Sequence, residues 1–455
     1  METFIRVAQF LLSLSILVLL HEWGHYITAR MFKTRVEKFY LFFDFLFPFP
    51  TVLNFALFKK KIGETEYGLG WFPLGGYVKI AGMVDESMDE EAMKLPPQPD
   101  EFRSKKPYQR LIIMLGGIIV NVLLAFVIYA MMLFWWGESS LPVERVNEGP
   151  GFAVDSSAIH LGLQDGDKII SYNGGTKFKQ TKTVGVELLL NLAKTIEIER
   201  NGQVKSIPIP MQIYKEMMAS KGVAFVTPIV PAKVDSAYAD KPYAKAGGKK
   251  GDLILALDSA NRINNFYHMR RELRNYKGKN VAMQVLRGGD TVTLHVTVDT
   301  MGLVGIGTAD LDSFYKIDEK TYGFFESFPA GVGKTWETLV NYIKQFKLVF
   351  NSELRGYKKL GSFITIAEQF SPTWDWASFW ALTAFLSIAL AFVNLLPIPA
   401  LDGGHALFTL VEMITGKAPS EKFLERAQVV GMIIIFALMI LALGNDLIRK
   451  IFGEY

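Results

Sequence analysis

The chain has 455 residues, too many for one ordinary domain. Half are hydrophobic, 34 are Phe and 21% are charged, with a mean hydropathy of +0.21, so the expectation is a membrane protein with sizeable water-exposed parts. The net charge of +4 comes without the basic stripe that nucleic-acid binding needs, and the absence of Cys excludes disulfides, thiolate zinc ligation and Cys nucleophiles.

Four apolar runs are long enough to span a bilayer, which takes about 20 residues: 7–32, 111–136, 379–399 and 429–448. The first reads as a retained span rather than a signal peptide, because no small-residue cleavage site follows it. It contains His21-Glu22-Trp23-Gly24-His25. A helix brings positions i and i+4 onto one face, so His21 and His25 can share one metal ion. Glu22 lies beside that face, where it can reach a water at the metal as general base. Ionisable clusters inside a span are costly and read as functional by default. The bland alternative is a chance match on a surface helix, in a chain with only 6 His.

After this span, residues 39–58 form a fifth apolar stretch, but Asp44, Pro48, Pro50 and Asn54 argue against a simple span. Residues 67–80 read as a β-hairpin, with Gly and Pro (Gly75 and Gly76 among them) punctuating short β-prone runs. Residues 83–106, acidic and then Pro-rich, read as a linker. Lys and Arg crowd the loop between the first two spans, at Arg35, Lys38, Lys59–Lys61 and Arg103–Arg110, which makes that loop cytoplasmic and residues 137–373 extracytoplasmic. Arg449 and Lys450 pull mildly against the resulting outside C-terminus. Asn121 stands within the second span, where an amide either bonds a neighbouring helix or serves a site.

The extracytoplasmic stretch repeats itself. Gly166-Asp167-Lys168-Ile169 matches Gly251-Asp252-Leu253-Ile254, each followed by a helix-like stretch (183–193 and 265–276) and a hairpin (196–209 and 281–298). Strand, helix and basic hairpin turn resemble PDZ domains, giving an expected PDZ-N at 138–220 and PDZ-C at 221–305. Such domains bind extended peptide ends by strand addition; the duller alternative is a steric plug. Phe325, Phe328, Val332, Trp336, Leu339, Ile343, Phe346 and Phe350 then fall at helical spacing, an amphipathic helix on the membrane with a break near Pro329, Gly331 and Gly333. Residues 306–373 are this helix and its linker.

Two His do not close a catalytic zinc site, which usually takes three protein ligands. The third span runs into Asn394-Leu395-Leu396-Pro397-Ile398-Pro399-Ala400-Leu401-Asp402-Gly403-Gly404-His405. The prolines should end that helix, and irregular backbone at membrane depth needs protein or a wet cavity around it. Asp402 at this break is the candidate third ligand. His405, after two Gly, reads as structural and stays outside the metal set.

The pairing of HExxH in the first span with NLLPIPALDGGH at the end of a later one resembles the site-2 protease family of intramembrane zinc metalloproteases. With the tandem PDZ-like region, the chain is similar to the bacterial regulator-of-sigma-E protease branch over nearly its whole length. The resemblance implies a polytopic α-helical membrane protein of four spans, with a membrane-associated, re-entrant β-hairpin region and two PDZ-like α+β domains. Residues 1–137 hold the first two spans and 374–455 the last two. It implies a zinc enzyme that cuts in or near the transmembrane segment of single-span membrane proteins already shortened outside, such as anti-sigma factors and signal-peptide remnants. It also implies that Gly75 and Gly76, with Asn121 and Asn394, hold the unwound substrate, and that residues 359–370 lead into the third span. The bacterial inner membrane is the implied location, with the PDZ-like domains periplasmic and the active site near the cytoplasmic side. Two rivals come from other classes: a non-enzymatic PDZ-bearing membrane scaffold, which has no need of Glu22, and a metal transporter, which wants more ionisable residues along the spans.

Overall fold

The computed structural model describes residues 1–46, 52–73, 75–83, 96–219, 225–258 and 261–452, and the chain divides into one unit of Met1–Gly137 with Thr321–Glu454 and another of Glu138–Lys320. Among the described residues, the longest helices of the first unit are α1 (Glu2–Met31), α2 (Pro107–Trp136), α3 (Phe324–Val349), α4 (Trp376–Leu395), α5 (Asp402–Thr415) and α6 (Glu421–Phe452). Of these, α1, α2, α4 and α6 are long and apolar enough to cross a membrane. α2 and α6 cover the expected runs 111–136 and 429–448, whereas α1 ends at Met31 and α4 at Leu395, short of 32 and 399. Pro107 opens α2, where a missing N–H costs nothing. Asp375 caps α4 by accepting from the Ala377 and Ser378 N–H groups.

Some polar side chains pair between these helices. Thr383 Oγ1 donates to Ser13 Oγ at 3.0 Å, and Ser387 Oγ donates to the Asn121 carbonyl at 2.7 Å. In an apolar surrounding such contacts hold helices together where burial of apolar surface alone cannot. α6 is held at its C-terminal end. Asp446 accepts from the Ser362 N–H and from Thr365 Oγ1, and Asn445 donates to the Tyr357 and Leu360 carbonyls.

α3 departs from expectation. It is continuous from Phe324 to Val349 with Pro329 inside it, and no break interrupts it. Pro329 sits in the second turn, so only one hydrogen bond near the helix start is lost. The glycine at 331 serves close packing: a Cβ there would come 2.9 Å from Ala130 on α2. Phe324 and Phe328 meet Phe134 and Phe126 of α2, and Tyr342 and Phe346 meet Phe392 of α4. Part of its aromatic surface is thus spent on neighbouring helices, while Phe325, Val332, Trp336 and Phe350 stay exposed.

Between α1 and α2 the chain builds a four-stranded sheet from β1 (Val36–Leu41), β2 (Ala56–Ile62), β3 (Thr65–Gly70) and β4 (Tyr77–Ile80), in the order β2-β3-β1-β4. The expected hairpin at 67–80 is therefore corrected. β3 and β4 do not pair with each other; β1 lies between them, parallel to β3 and antiparallel to β4. The hairpin is instead β2–β3, closed at Gly63 with φ +61°. A parallel pair needs a crossover, and the stretch from 42 through β2 supplies it. Residues 39–58 are thus partly strand, with 47–51 outside the described residues, as is 84–95 of the expected linker. Val36, Val78 and Ile80 share one core with Ala29 of α1, Ile113 and Met114 of α2 and Ala406 of α5, which seats β4 against the helices.

In the second unit the two repeats fold alike. Strands Lys168–Tyr172 and Leu253–Leu257 each pair with a hairpin, Thr195–Arg200 with Gln203–Pro208 and Asn280–Arg287 with Asp290–Thr297. Arg200 grips Asp167 through Nε and Nη2, both at 2.7 Å, and donates to the Gly162 carbonyl. Arg287 does the same to Asp252 and the Gly247 carbonyl, again at 2.7 Å for both carboxylate contacts. The Asp of each Gly-Asp pair is thus anchored by the Arg of its own hairpin turn. The repeats interlock: Val226–Pro228 pairs with Phe152–Val154, and Asp165 accepts from Asn265 and Arg271. Glu138–Ser140 pairs with Asp318–Lys320, so the unit's two ends lie side by side.

Candidate metal centre

His21 and His25 sit one turn apart on α1, 7% and 6% exposed, on the face turned to α2. Gly117 of α2 makes the room, since a Cβ there would overlap both imidazoles. α4 ends at Leu395, the Pro-containing segment 396–401 follows, and α5 starts at Asp402. Gly403 and Gly404 let the new helix fold back against the Leu395 and Ile398 carbonyls, where side chains would collide. The break expected at Pro397 thereby delivers Asp402 to the two His.

Three donor atoms meet there. His21 Nε2 and His25 Nε2 each lie 3.2 Å from Asp402 Oδ2 and 3.3 Å from one another. A near-equilateral triangle of this size is what three ligands of a tetrahedral ion with bonds of about 2.0–2.2 Å occupy. Asp402 Oδ2 is buried without a hydrogen-bond partner. His25 Nδ1 donates to the Ile113 carbonyl at 2.9 Å, which leaves the Nε2 lone pair facing the triangle. Lone pairs crowded in this way repel unless a cation stands among them, and two imidazoles with one carboxylate suit zinc. Among the described residues, these are the three His or acidic side chains whose ligand atoms come together closely enough to hold one ion.

A cavity of about 320 Å³ opens on the triangle, lined by Glu22, Gly75, Gly76, Asn394 and His405 as well as the three donors. Phe43, Phe72 and Tyr77 wall its sheet side, and Met114, Met432 and Met439 contribute adaptable apolar surface. Glu22 lines this cavity together with Val78 of β4. Asn394 Nδ2 lies 3.1 Å from His21 Nε2. His405 faces Gln428 of α6 at 3.3 Å and stands outside the triangle.

Asn121 differs from the other expected substrate contacts. It has no exposed surface, does not line the cavity, and its side-chain nitrogen lies 3.1 Å from His21 Nδ1. Sequence reading also missed the Ile113 carbonyl, Gly117 and Gln428. The adjacent Gly116-Gly117 within a span was the one available signal, since paired small residues mark close helix approach.

The model of peptidase family M50 matches residues 9–438. A relative from Treponema pallidum, named as a zinc metalloprotease, is 27% identical over 97% of this chain and 98% of its own length. The regulator of sigma-E protease RseP of Escherichia coli (strain K12) is 26% identical over 97% of this chain and 98% of its own length. A zinc metalloprotease of Neisseria meningitidis serogroup A is 28% identical with the same coverage. With the four apolar helices and a triangle of zinc-type donors, the conclusion is that this chain belongs to peptidase family M50, the site-2 proteases, and is a zinc metalloprotease of the intramembrane type.

Proposed function

We propose that His21, His25 and Asp402 hold the zinc and that Glu22 is the general base. The donor triangle, with Glu22 in the same cavity, carries this reading. Zinc bound by these donors makes water acidic near neutral pH and polarises a carbonyl. Glu22 takes the proton from the attacking water and passes it to the leaving amine.

The substrate is the helix of a single-span membrane protein, opened into a strand before cutting. A helical peptide bond has its backbone groups satisfied and shielded; adding it as a strand to β4, an edge strand lining the cavity, replaces the hydrogen bonds it loses. Gly75, Gly76 and Asn394 border that path. The β2–β3 hairpin is the membrane-associated element: Leu57, Phe58 and Ile62 are exposed beside Lys59–Lys61, a composition suited to a headgroup layer. The two repeats of Glu138–Lys320 are PDZ-like domains that exclude substrates not yet shortened outside. By analogy with relatives named for regulating sigma-E, anti-sigma factors and signal-peptide remnants are the substrate classes, and the bacterial inner membrane is the location. Lys and Arg bias sets the loop holding the sheet in the cytoplasm and the repeats outside. The scaffold reading gives way to family membership, and the transporter reading finds few ionisable residues besides the motif along the spans to rest on.

The ligand set is tested by zinc analysis of the purified protein. His21→Ala with Asp402→Ala should abolish stoichiometric zinc; zinc retained by the double variant rules the assignment out.

A further inference from the structure

We propose that Asn121 is a positioning residue for His21, presenting its side-chain oxygen to the His21 Nδ1–H and so keeping the Nε2 lone pair free for the metal. The proposal rests on His21 being a ligand. As placed, both nitrogens of His21 face amide nitrogens: Asn121 Nδ2 at Nδ1 and Asn394 Nδ2 at Nε2, each at 3.1 Å. A neutral imidazole carries one N–H and one lone pair, so it accepts from only one of them. The other amide must offer its oxygen. The two ends of an amide have the same shape, and each orientation fits the same space.

Chemistry decides between the two. If Asn394 turned its oxygen to Nε2, that nitrogen would carry the proton and lose its place among the donors. If Asn121 turns its oxygen to Nδ1, the proton stays on Nδ1 and Nε2 faces Asp402 with a lone pair. His21 then matches His25, whose Nδ1 donates to the Ile113 carbonyl. Both rings are set by α2, at positions two helical turns apart, with Gly117 between them.

Burial supports a dedicated role. Asn121 has no exposed surface, and the other end of its amide has no partner. A half-satisfied amide among apolar helices is costly, and among the described residues His21 is the hydrogen-bond partner of its side chain. Its backbone carbonyl accepts from Ser387 on α4, which steadies that turn of α2. Asn121 therefore acts through His21 and does not touch the substrate.

The test uses the purified full-length protein with zinc bound, challenged with a chelator and followed by metal analysis. Asn121→Leu, which keeps the shape and removes the acceptor, should weaken zinc retention by about 10- to 100-fold. Asn121→Asp, which keeps an acceptor oxygen at the same place, should stay within a few-fold of the parent. In zinc-free protein with ring-15N His, the His21 signal, identified by its loss in His21→Ala, should report a protonated Nδ1 in the parent and a mixed tautomer in Asn121→Leu. Full zinc retention in Asn121→Leu, equal loss in Asn121→Leu and Asn121→Asp, or an unprotonated Nδ1 in the parent overturns the proposal. His21→Ala separates the two levels. If it loses zinc while Asn121→Leu keeps it, only the positioning role fails; if it keeps zinc, the ligand reading fails and takes the proposal with it.

Discussion

Gly24 of α1 and Gly116 of α2 meet backbone to backbone: a Cβ on Gly24 would overlap the Gly116 carbonyl, and one on Gly116 would lie 2.7 Å from Thr28 Oγ1. The candidate metal centre depends on this crossing. It brings the next residue, Gly117, under both imidazoles, and puts the Ile113 carbonyl in reach of His25.

Gly117→Ala should therefore damage the metal centre more than the fold. Its methyl group falls on both rings, and relief requires the rings to turn away from Asp402. We expect at least a tenfold loss of zinc retention with helix content unchanged, read by metal analysis beside circular dichroism. Wild-type zinc retention would show that the rings have room to spare.

The junction of the two repeats should weaken in acid. Asp165 is partly buried, which disfavours its charge, but hydrogen bonds from the Val154 N–H, Arg271 and Asn265 outweigh this and hold its carboxyl below the usual range. A carboxyl lowered by folding stabilises above its unfolded value, near 4, and that contribution is lost as pH falls through the folded value. Hydrogen exchange at 152–154 in the full chain should accelerate as pH drops below about 4, after correction for intrinsic rates. Asp165→Asn should flatten the dependence; an unchanged profile in that variant would assign it elsewhere.

Membrane orientation is open to direct labelling, because the chain has no Cys of its own. Lys60→Cys in β2 and Lys205→Cys in the first repeat should react with impermeant reagents from opposite faces, the first from the cytoplasmic side. Labelling of both from one face contradicts the charge-based orientation.

Gating by the repeats has a clean excision. The paired ends Glu138–Ser140 and Asp318–Lys320 let 138–320 be replaced by a short linker. The shortened enzyme should cut full-length, unshortened substrates that the parent leaves intact. Continued resistance of those substrates would remove gating from the account.

What could be read from sequence was local. Helical spacing of His21 and His25, the prolines after α4 and the repeated Gly-Asp pairs each announce themselves within a few residues. What could not be read was set by partners far along the chain. β1 and β3 pair in parallel across a crossover, so the glycine-punctuated stretch 67–80 imitates a hairpin it does not form. Pro329 looks like a break, yet packing against α2 carries α3 through it. Asn121 looks like a cleft residue until its distance to His21 and its complete burial are known.

The central claim is that Glu22 moves the proton for hydrolysis at a zinc held by His21, His25 and Asp402. Its most direct test is cleavage of a tagged single-span substrate by the purified enzyme and by Glu22→Gln, with zinc measured in both. The account predicts zinc in both proteins and cleavage by the parent alone, with loss of at least about 100-fold in the variant, the scale of a missing general base. Equal cleavage by the two zinc-loaded proteins would contradict it.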